Sequence, residues 1–252
     1  MTYCVGLFLD EGMVLLSDTR TNAGVDNIST FAKQHLFQRE GDRAIVAMTA
    51  GNLAVSQAVI NLIQEGVLHP DTGQVETIFS VHSMFAAAAL TGAAVRQVYR
   101  TYGPTMQEQG VPFDVSILLG GQLAGRTMRL FQVYAAGNFI NATPDTPFLQ
   151  VGEHKYGKPI LDRAVTPETP LSDGVKLALI SMDSTLRSNL TVGLPLDLTV
   201  YRKDSLELAT WRITEDDAYF RELRCGWSDA LRAAYKAMPS PPYLPWRSTE
   251  GP

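Results

Sequence analysis

Short apolar segments near the start of the chain predict a β-hairpin. The segment from Tyr3 to Leu9 is strand-like, and Met13 to Ser17 is a second apolar run. Asp10, Glu11 and Gly12 lie between them, and a glycine can supply the positive φ that a tight hairpin turn needs. Because the second strand folds back on the first, we expect Asp18 at its end to return to the neighbourhood of Thr2.

Apolar residues that recur every three to four positions predict helices further along. The predicted helices are Leu53 to Glu65, ended by Gly66, then Thr77 to Tyr102, then a helix that opens at Ser172 and carries Asp183, and finally Asp217 to Met238. Two more hairpins are predicted, one from Val115 to Leu119 and Met128 to Tyr134 across a turn at Gly120-Gly121, the other from Leu196 to Tyr201 and Leu206 to Ile213.

The order of these elements predicts the fold class. Helices come in blocks between hairpins, which disfavours a doubly wound parallel sheet. Two antiparallel sheets packed face to face, with helices on both outer surfaces, accommodate this order. We therefore predict an α+β fold, a four-layer αββα sandwich.

No linker divides the chain, so we predict a single domain over residues 1–238. Residues 239–252 hold five prolines and are predicted to form an extended tail that clasps a neighbour or stays disordered.

Composition narrows the possible partners. The net charge of -5 argues against nucleic-acid binding, which requires clustered basic charge. The longest apolar candidate, Ala86 to Ala94, is too short to span a membrane. Cys4 and Cys225 are the only cysteines, and with no secretory leader we expect both to be reduced and the protein to be cytoplasmic. The four histidines show no metal-ligand spacing with them, so no metal site is expected.

Thr2 carries the candidate chemistry. Removal of Met1 would make Thr2 an N-terminal residue whose α-amine could take the proton from its own hydroxyl. A free α-amine has a pKa of about 7.7–8.0, so a neighbouring ammonium must lower it, and a carboxylate must keep that ammonium charged. Asp18 is the candidate carboxylate. Lys33 is the candidate ammonium, because no other lysine precedes Lys155.

Each of these residues also has an ordinary interpretation. Threonine is common at position two, Asp18 could cap a turn, and Lys33 could be a solvated charge at a strand edge. Their order on successive hairpin strands favours the catalytic interpretation.

Three stretches of the sequence resemble a known family. They are Met1 to Gly6, Leu16 to Asn27 and Met48 to Asn52, and they are similar to the proteasome-type N-terminal nucleophile hydrolases, most closely to the bacterial ancestral proteasome β-subunit group called Anbu. The likeness runs from Thr2 to about Tyr201. It also implies the four-layer sandwich and a threonine peptidase that hydrolyses peptide amide bonds through an acyl-enzyme.

The resemblance implies a role for each matching residue. Thr2 would be nucleophile and base, Asp18 would orient Lys33, Lys33 would tune the Thr2 amine, Gly51 would donate its backbone N–H to the oxyanion, and Asp183 would lie near the amine. Arg20, Thr21, Asn22, Thr49 and Leu53 would contact substrate, judged by motif position. The family likeness also implies a ring or open helical ring of many copies, and no cofactor.

Two departures leave other functions open. Gly152-Glu153-His154 replaces the Gly-Ser-Gly of the family, so an acidic residue stands where a serine would bond the Thr2 amine. The serine expected after Asp183 could be Ser184 or Ser188. The alternatives are an amidase or transferase acting on a small peptide-like metabolite, and a non-catalytic assembly subunit that retains Met1.

Overall fold

The computed structural model describes residues 2–22, 28–68 and 73–243. The strands among them are β1 (Tyr3–Leu9), β2 (Gly12–Asp18), β3 (Arg20–Asn22), β4 (Ile28–Thr30), β5 (Gln34–Arg39), β6 (Arg43–Gly51), β7 (Val67–Leu68), β8 (Val75–Glu76), β9 (Val115–Leu123), β10 (Arg129–Val133), β11 (Phe139–Asn141), β12 (Phe148–Gly152), β13 (Leu196–Arg202) and β14 (Leu208–Ile213). The helices are α1 (Leu53–Glu65), α2 (Met84–Glu108), α3 (Lys158–Ala164), α4 (Leu171–Ser188) and α5 (Ala218–Lys236).

Two five-stranded antiparallel sheets form the framework, as the sequence predicts. The first sheet has the order β12-β1-β2-β13-β14, and the second has the order β11-β10-β9-β6-β5. β3 with β4, and β7 with β8, form two short additional ladders.

Three apolar clusters hold these elements together. One lies between the sheets and includes Cys4, Met13, Leu15, Met48, Leu118 and Leu130. A second joins the second sheet to α1 and α2 and includes Ile45, Val59, Ile63, Ala87 and Ile117. A third joins the first sheet to α3, α4 and α5 and includes Tyr3, Leu7, Leu161, Met182 and Phe220. The mixed α and β content and the antiparallel sheets are therefore confirmed.

The first hairpin forms as predicted. Cys4 lies opposite Ser17, and the backbone N–H of Tyr3 donates to Asp18 Oδ1 at 3.0 Å. Gly12 has a φ of +155°, and a Cβ there would lie 2.0 Å from the backbone oxygen of Tyr201 on β13. Glycine thus lets the strand next to this turn approach closely.

Helix α1 has the predicted bounds, and the Asn52 side chain caps it by accepting from the N–H groups of Ala54 and Val55. The prediction for α2 is wrong at both ends. The helix begins at Met84, where the Ser83 side chain caps it, and it continues through Pro104 to Glu108.

The turn predicted at Gly120-Gly121 is also wrong. β9 continues through both glycines to Leu123. A Cβ on Gly121 would lie 2.4 Å from the backbone oxygen of Ala44, so this glycine permits close pairing with β6. The α4 boundary differs slightly, because Pro170 rather than Ser172 is its N-cap residue.

The Pro-rich tail is described only as far as Tyr243, so the predicted clasp falls largely outside the described residues. None of the helices within the described residues combines the length and apolar character needed to cross a membrane. The same residues contain no group of three or more histidine, cysteine, aspartate or glutamate side chains placed to hold a metal ion.

Candidate active site

A buried ion pair lies at the end of the first hairpin. Lys33 Nζ donates to Asp18 Oδ1 at 2.7 Å and to the backbone oxygen of Arg20 at 2.7 Å. The Asp18 and Lys33 side chains are 0% and 5% exposed. The backbone N–H of Gly193 approaches Asp18 Oδ2 at 3.3 Å, so the carboxylate has donors on both oxygens.

Burial raises the pKa of Asp18, and the Lys33 ammonium and the backbone N–H donors of Tyr3 and Gly193 oppose that rise. The same burial raises the pKa of the Cys4 thiol. Cys4 is fully buried, and its thiol faces the backbone oxygen of Thr49 at 3.7 Å. It is a core residue beside the site.

Thr2 is held by its two flanking backbone contacts. Its carbonyl accepts from the N–H of Glu153 at 2.7 Å, and the N–H that follows it, that of Tyr3, is bonded to Asp18. Gly152 has a φ of +82°, and a Cβ there would lie 2.0 Å from the Thr2 oxygen. Only glycine therefore fits where β12 meets the start of β1.

Thr2 and Lys33 line one cavity of about 790 Å³. Among the residues predicted to contact substrate, Thr21, Thr49 and Leu53 line it as well. Arg20 does not, because its guanidinium donates to the backbone oxygen of Leu190 at 2.9 Å. Asn22 belongs to β3, whose neighbour Thr21 reaches the cavity.

Gly51 lies on the wall of the same cavity, at the end of β6. Its φ is +105°, and a Cβ would lie 2.4 Å from the backbone oxygen of Asp114. Helix α1 begins two residues later, so the positive end of its dipole faces the cavity, which Asn52 and Leu53 also line. A positive helix end and a close backbone approach suit a site where negative charge develops.

A polar network begins at Glu153, the residue whose N–H bonds the Thr2 carbonyl. The Glu153 carboxylate is 7% exposed, and its Oε2 accepts a hydrogen bond from the Asn189 side chain at 2.9 Å. Its Oε1 forms an ion pair with Lys155 Nζ at 3.2 Å. Asn189 Oδ1 in turn accepts from the N–H and hydroxyl of Thr191 at 2.9 and 2.6 Å.

The loop of residues 189–195 that carries this network leads to Gly193 and so to Asp18. Sequence reasoning missed Asn189, Thr191 and Gly193. Their signal was a polar Asn-x-Thr directly after a helix.

The structure does not bring Asp183 to Thr2, which corrects the prediction. The Asp183 carboxylate is bonded by Arg187 at 3.0 Å and by Arg224 on α5 at 2.6 Å. Ser181, two residues earlier, faces the sheet and bonds the Tyr3 hydroxyl at 2.6 Å. Two helical positions turn a side chain by about 200°, so Asp183 faces α5.

The two serines considered with Asp183 do not reach Thr2 by a hydrogen bond within the described residues. Ser184 Oγ donates to the backbone oxygen of Ile180 in its own helix at 3.1 Å, and Ser188 is exposed at the end of α4. Asn189 and Thr191 instead belong to the polar network of Glu153, the residue whose N–H bonds the Thr2 carbonyl.

Comparison with solved structures gives strong matches over nearly the whole chain. An Anbu protein described as an ancestral β-subunit, from Yersinia bercovieri, is 47% identical with a TM-score of 0.86, over 96% of this chain and 100% of that one. A helical assembly of the Anbu complex from Pseudomonas aeruginosa is 48% identical with a TM-score of 0.88, over 96% and 98% of the two chains.

An Anbu Gly-1 mutant from Hyphomicrobium sp. strain MC1 is 46% identical with a TM-score of 0.86, over 95% of this chain and 99% of that one. Neither a scan of protein-family models nor a search of curated proteins gave a match.

Proposed function

Because this chain belongs to the Anbu family, the ancestral bacterial proteasome β-subunits, and has a proteasome-like N-terminal nucleophile fold, we propose that it is a threonine-type hydrolase of peptide amide bonds. One observation carries the proposal. Thr2 is anchored through the next backbone N–H to Asp18, and Asp18 is paired with the buried Lys33 beside the same cavity.

The proposed reaction begins with the Thr2 amine that Met1 removal exposes. The Lys33 ammonium disfavours a second positive charge nearby, so the amine stays neutral and takes the hydroxyl proton. Thr2 Oγ1 attacks the carbonyl carbon of the substrate, and the Gly51 N–H stabilises the oxyanion. The amine then protonates the leaving nitrogen as the amide bond breaks, and water hydrolyses the resulting ester.

Substrate contacts follow from the cavity. Thr21, Thr49 and Leu53 are proposed to hold the acyl half of the substrate, since all three share the cavity with Thr2. The backbone of β3 next to Thr21, including Asn22, is proposed to contact the substrate as well. Arg20 is proposed to act indirectly, by holding the loop that carries Leu190.

Self-association is part of the proposal. The Pseudomonas aeruginosa relative forms a helical assembly, which supports a ring or helical ring of this chain with the sites on an enclosed surface. We also propose that the clusters on both sides of each sheet make the four-layer αββα sandwich of this fold, that residues 1–238 are one domain, and that the protein acts in the cytoplasm without a cofactor.

The buried Glu153 favours a second candidate, an amidase or transferase for a small peptide-like molecule. The Glu153 N–H bonds the Thr2 carbonyl, and the Glu153 carboxylate pairs with the exposed Lys155. The cationic group of a small substrate is proposed to replace Lys155 as the partner of this carboxylate. Substrate profiling distinguishes the two functions. Turnover of one small amide, with none of peptides or unfolded protein, would favour this candidate over the peptidase.

Intact-mass measurement before and after a threonine-directed covalent inhibitor tests the proposal. We expect loss of Met1 and one inhibitor adduct on the wild-type chain. Thr2→Ala should form no adduct, whereas Thr101→Ala, which changes an exposed threonine on α2, should react as the wild type does. Retained Met1 would refute the mechanism and favour a non-catalytic assembly subunit.

A further inference from the structure

The cavity at Thr2 continues into a groove along one edge of the first sheet. A cavity of about 300 Å³ shares Ala50, Gly51, Asp114 and Gly152 with the Thr2 cavity. A third, of about 460 Å³, shares Gln132, Gln150 and His154 with the second. The three cavities therefore form one path that leads away from Thr2 along β12.

One wall of this path is an unpaired strand edge. β12 is the outermost strand of its sheet, and within the described residues no strand pairs with its outer side. The inner side of β12 is bonded to β1 at both ends: the Phe8 N–H donates to the Pro147 carbonyl, and the Glu153 N–H donates to the Thr2 carbonyl. Because hydrogen-bonded positions alternate in an antiparallel pair, the backbone N–H groups of Phe148 and Gln150 point outward.

The floor of the path belongs to the second sheet, which extends past β12. Gln132 on β10 and Ser116 on β9 are half-buried there. Each lies two residues along its strand from a leucine packed between the sheets, Leu130 and Leu118 respectively. Side chains two residues apart on a strand face the same side, so Gln132 and Ser116 also face the first sheet. The Gln132 side chain makes no hydrogen bond to any described residue, so its amide is available to a ligand.

An open strand edge above a polar floor is the arrangement that binds an extended peptide by adding a strand. We propose that this groove binds the leaving-group half of an extended peptide substrate as a sixth, antiparallel strand beside β12. The inference rests on the proposed function, which assigns the acyl half to the side of Thr2 lined by Thr21, Thr49 and Leu53. The other half must then leave past Gly51 and Gly152.

The direction and length of the groove agree with this occupant. Moving from Gly152 to Phe148 runs against the direction of β12, and the leaving-group half runs from its N-terminus away from the scissile bond. It would therefore pair antiparallel. The five residues of β12 span roughly 16 Å at about 3.3 Å per residue, which accommodates about four residues of substrate. Because the contacts are mostly with backbone, the groove should tolerate many sequences.

Two substrates with the same acyl half give the kinetic test. One releases only a small fluorescent amine, and the other carries four residues on its leaving-group side. We expect kcat/KM to be about tenfold higher for the longer one, as two or three backbone hydrogen bonds allow. Gln132→Trp, which fills the floor, should remove this advantage, whereas Gln64→Trp on the exposed end of α1 should keep it. Turnover of both substrates with no effect of length would overturn the groove.

Hydrogen exchange on Thr2→Ala tests the groove without turnover. The probe is an acetylated octapeptide of alternating threonine and alanine, added in excess. We expect slower exchange of the N–H groups of residues 148–152, and loss of that protection when Gln132→Trp is added. Unchanged exchange in this strand would refute the inference. If neither substrate is turned over, the proposed function fails, and this binding measurement alone decides the groove.

Discussion

Asp18 and Lys33 place two opposite charges where water is excluded, and each makes the burial of the other tolerable. Burial raises the pKa of Asp18. A carboxyl group with a raised pKa stabilises the fold fully below its ordinary pKa of about 4, and that contribution is lost as the pH rises through the folded-state value. The ammonium of Lys33 limits the loss because it stabilises the ionised carboxylate.

We therefore expect Lys33→Met to destabilise the protein in a pH-dependent way. Near neutral pH the free energy of unfolding should fall by about 3–5 kcal/mol, the cost of leaving one buried charge unpaired. Near pH 4 the deficit should be much smaller, since Asp18 takes up a proton in the variant. Urea titration at both pH values measures this. The exposed Lys203→Met is the matched control, and an equal deficit at both pH values would contradict the prediction.

Among the elements, the loop of residues 189–195 between α4 and β13 connects Glu153 with Asp18, the residues that bond the Thr2 carbonyl and the following N–H. Asn189 holds Glu153 at one end, and the Gly193 N–H reaches Asp18 at the other. Arg20 lies against this loop, so closely that a Cβ on Gly193 would lie 2.2 Å from the guanidinium carbon. A shift of the Arg20 guanidinium should therefore move this loop, and with it the Gly193 N–H that bonds the Asp18 carboxylate.

Gly193→Ala should displace the Arg20 side chain and loosen this loop. We expect the reaction with a threonine-directed inhibitor to slow by about tenfold or more, because small displacements of reacting groups cost rate. Loss of the Arg20–Leu190 hydrogen bond should lower the Tm by about 2–4 °C.

Gly226→Ala is the control for Gly193→Ala. No atom lies within 4 Å of a Cβ at that position on α5, and alanine should stabilise the helix by about 0.5–1 kcal/mol. A wild-type inhibitor rate in Gly193→Ala would show that the loop does not position Thr2.

The elements that local pattern determines were predictable, and those that long-range contacts determine were not. The β1–β2 hairpin and α1 have clear turn and cap residues. In contrast, the predicted start of α2 at Thr77 was too early, because Ser83 caps the helix and Met84 is its first residue. Gly121 suggested a turn because only the close approach of β6 shows why a strand needs glycine there.

The site followed the same division. Thr2, Asp18 and Lys33 could be found because the first hairpin brings two of them together and no other nearby lysine competes. Asp183 was misplaced because helical phase, set by the Ser181–Tyr3 contact, turns it toward α5. Asn189 reaches Glu153 only after residues 36 positions apart meet, so the Asn-x-Thr that follows α4 does not indicate which residue it contacts.

In the whole molecule, the site exists only where the two sheets meet. In the first sheet, Thr2 directly precedes β1 and Asp18 ends β2. In the second sheet, Lys33 directly precedes β5 and Gly51 ends β6. The apolar cluster between the sheets therefore fixes the relative positions of the groups in the proposed active site. Leu130 belongs to this cluster and packs against a glycine of each sheet. Its Cδ atoms would lie 3.1–3.2 Å from a Cβ added to Gly6 on β1 or to Gly120 on β9.

Leu130→Ala should weaken fold and site together. Loss of a fully buried leucine should cost about 2–5 kcal/mol through the lost burial and the cavity left behind. The urea midpoint should fall, and inhibitor labelling of Thr2 should be lost over the same urea range as the far-UV circular dichroism signal. Leu36→Ala, at a half-exposed position on β5, should change stability by about 0.5 kcal/mol or less. Labelling lost well before the circular dichroism signal would instead show that the sheets separate before they unfold.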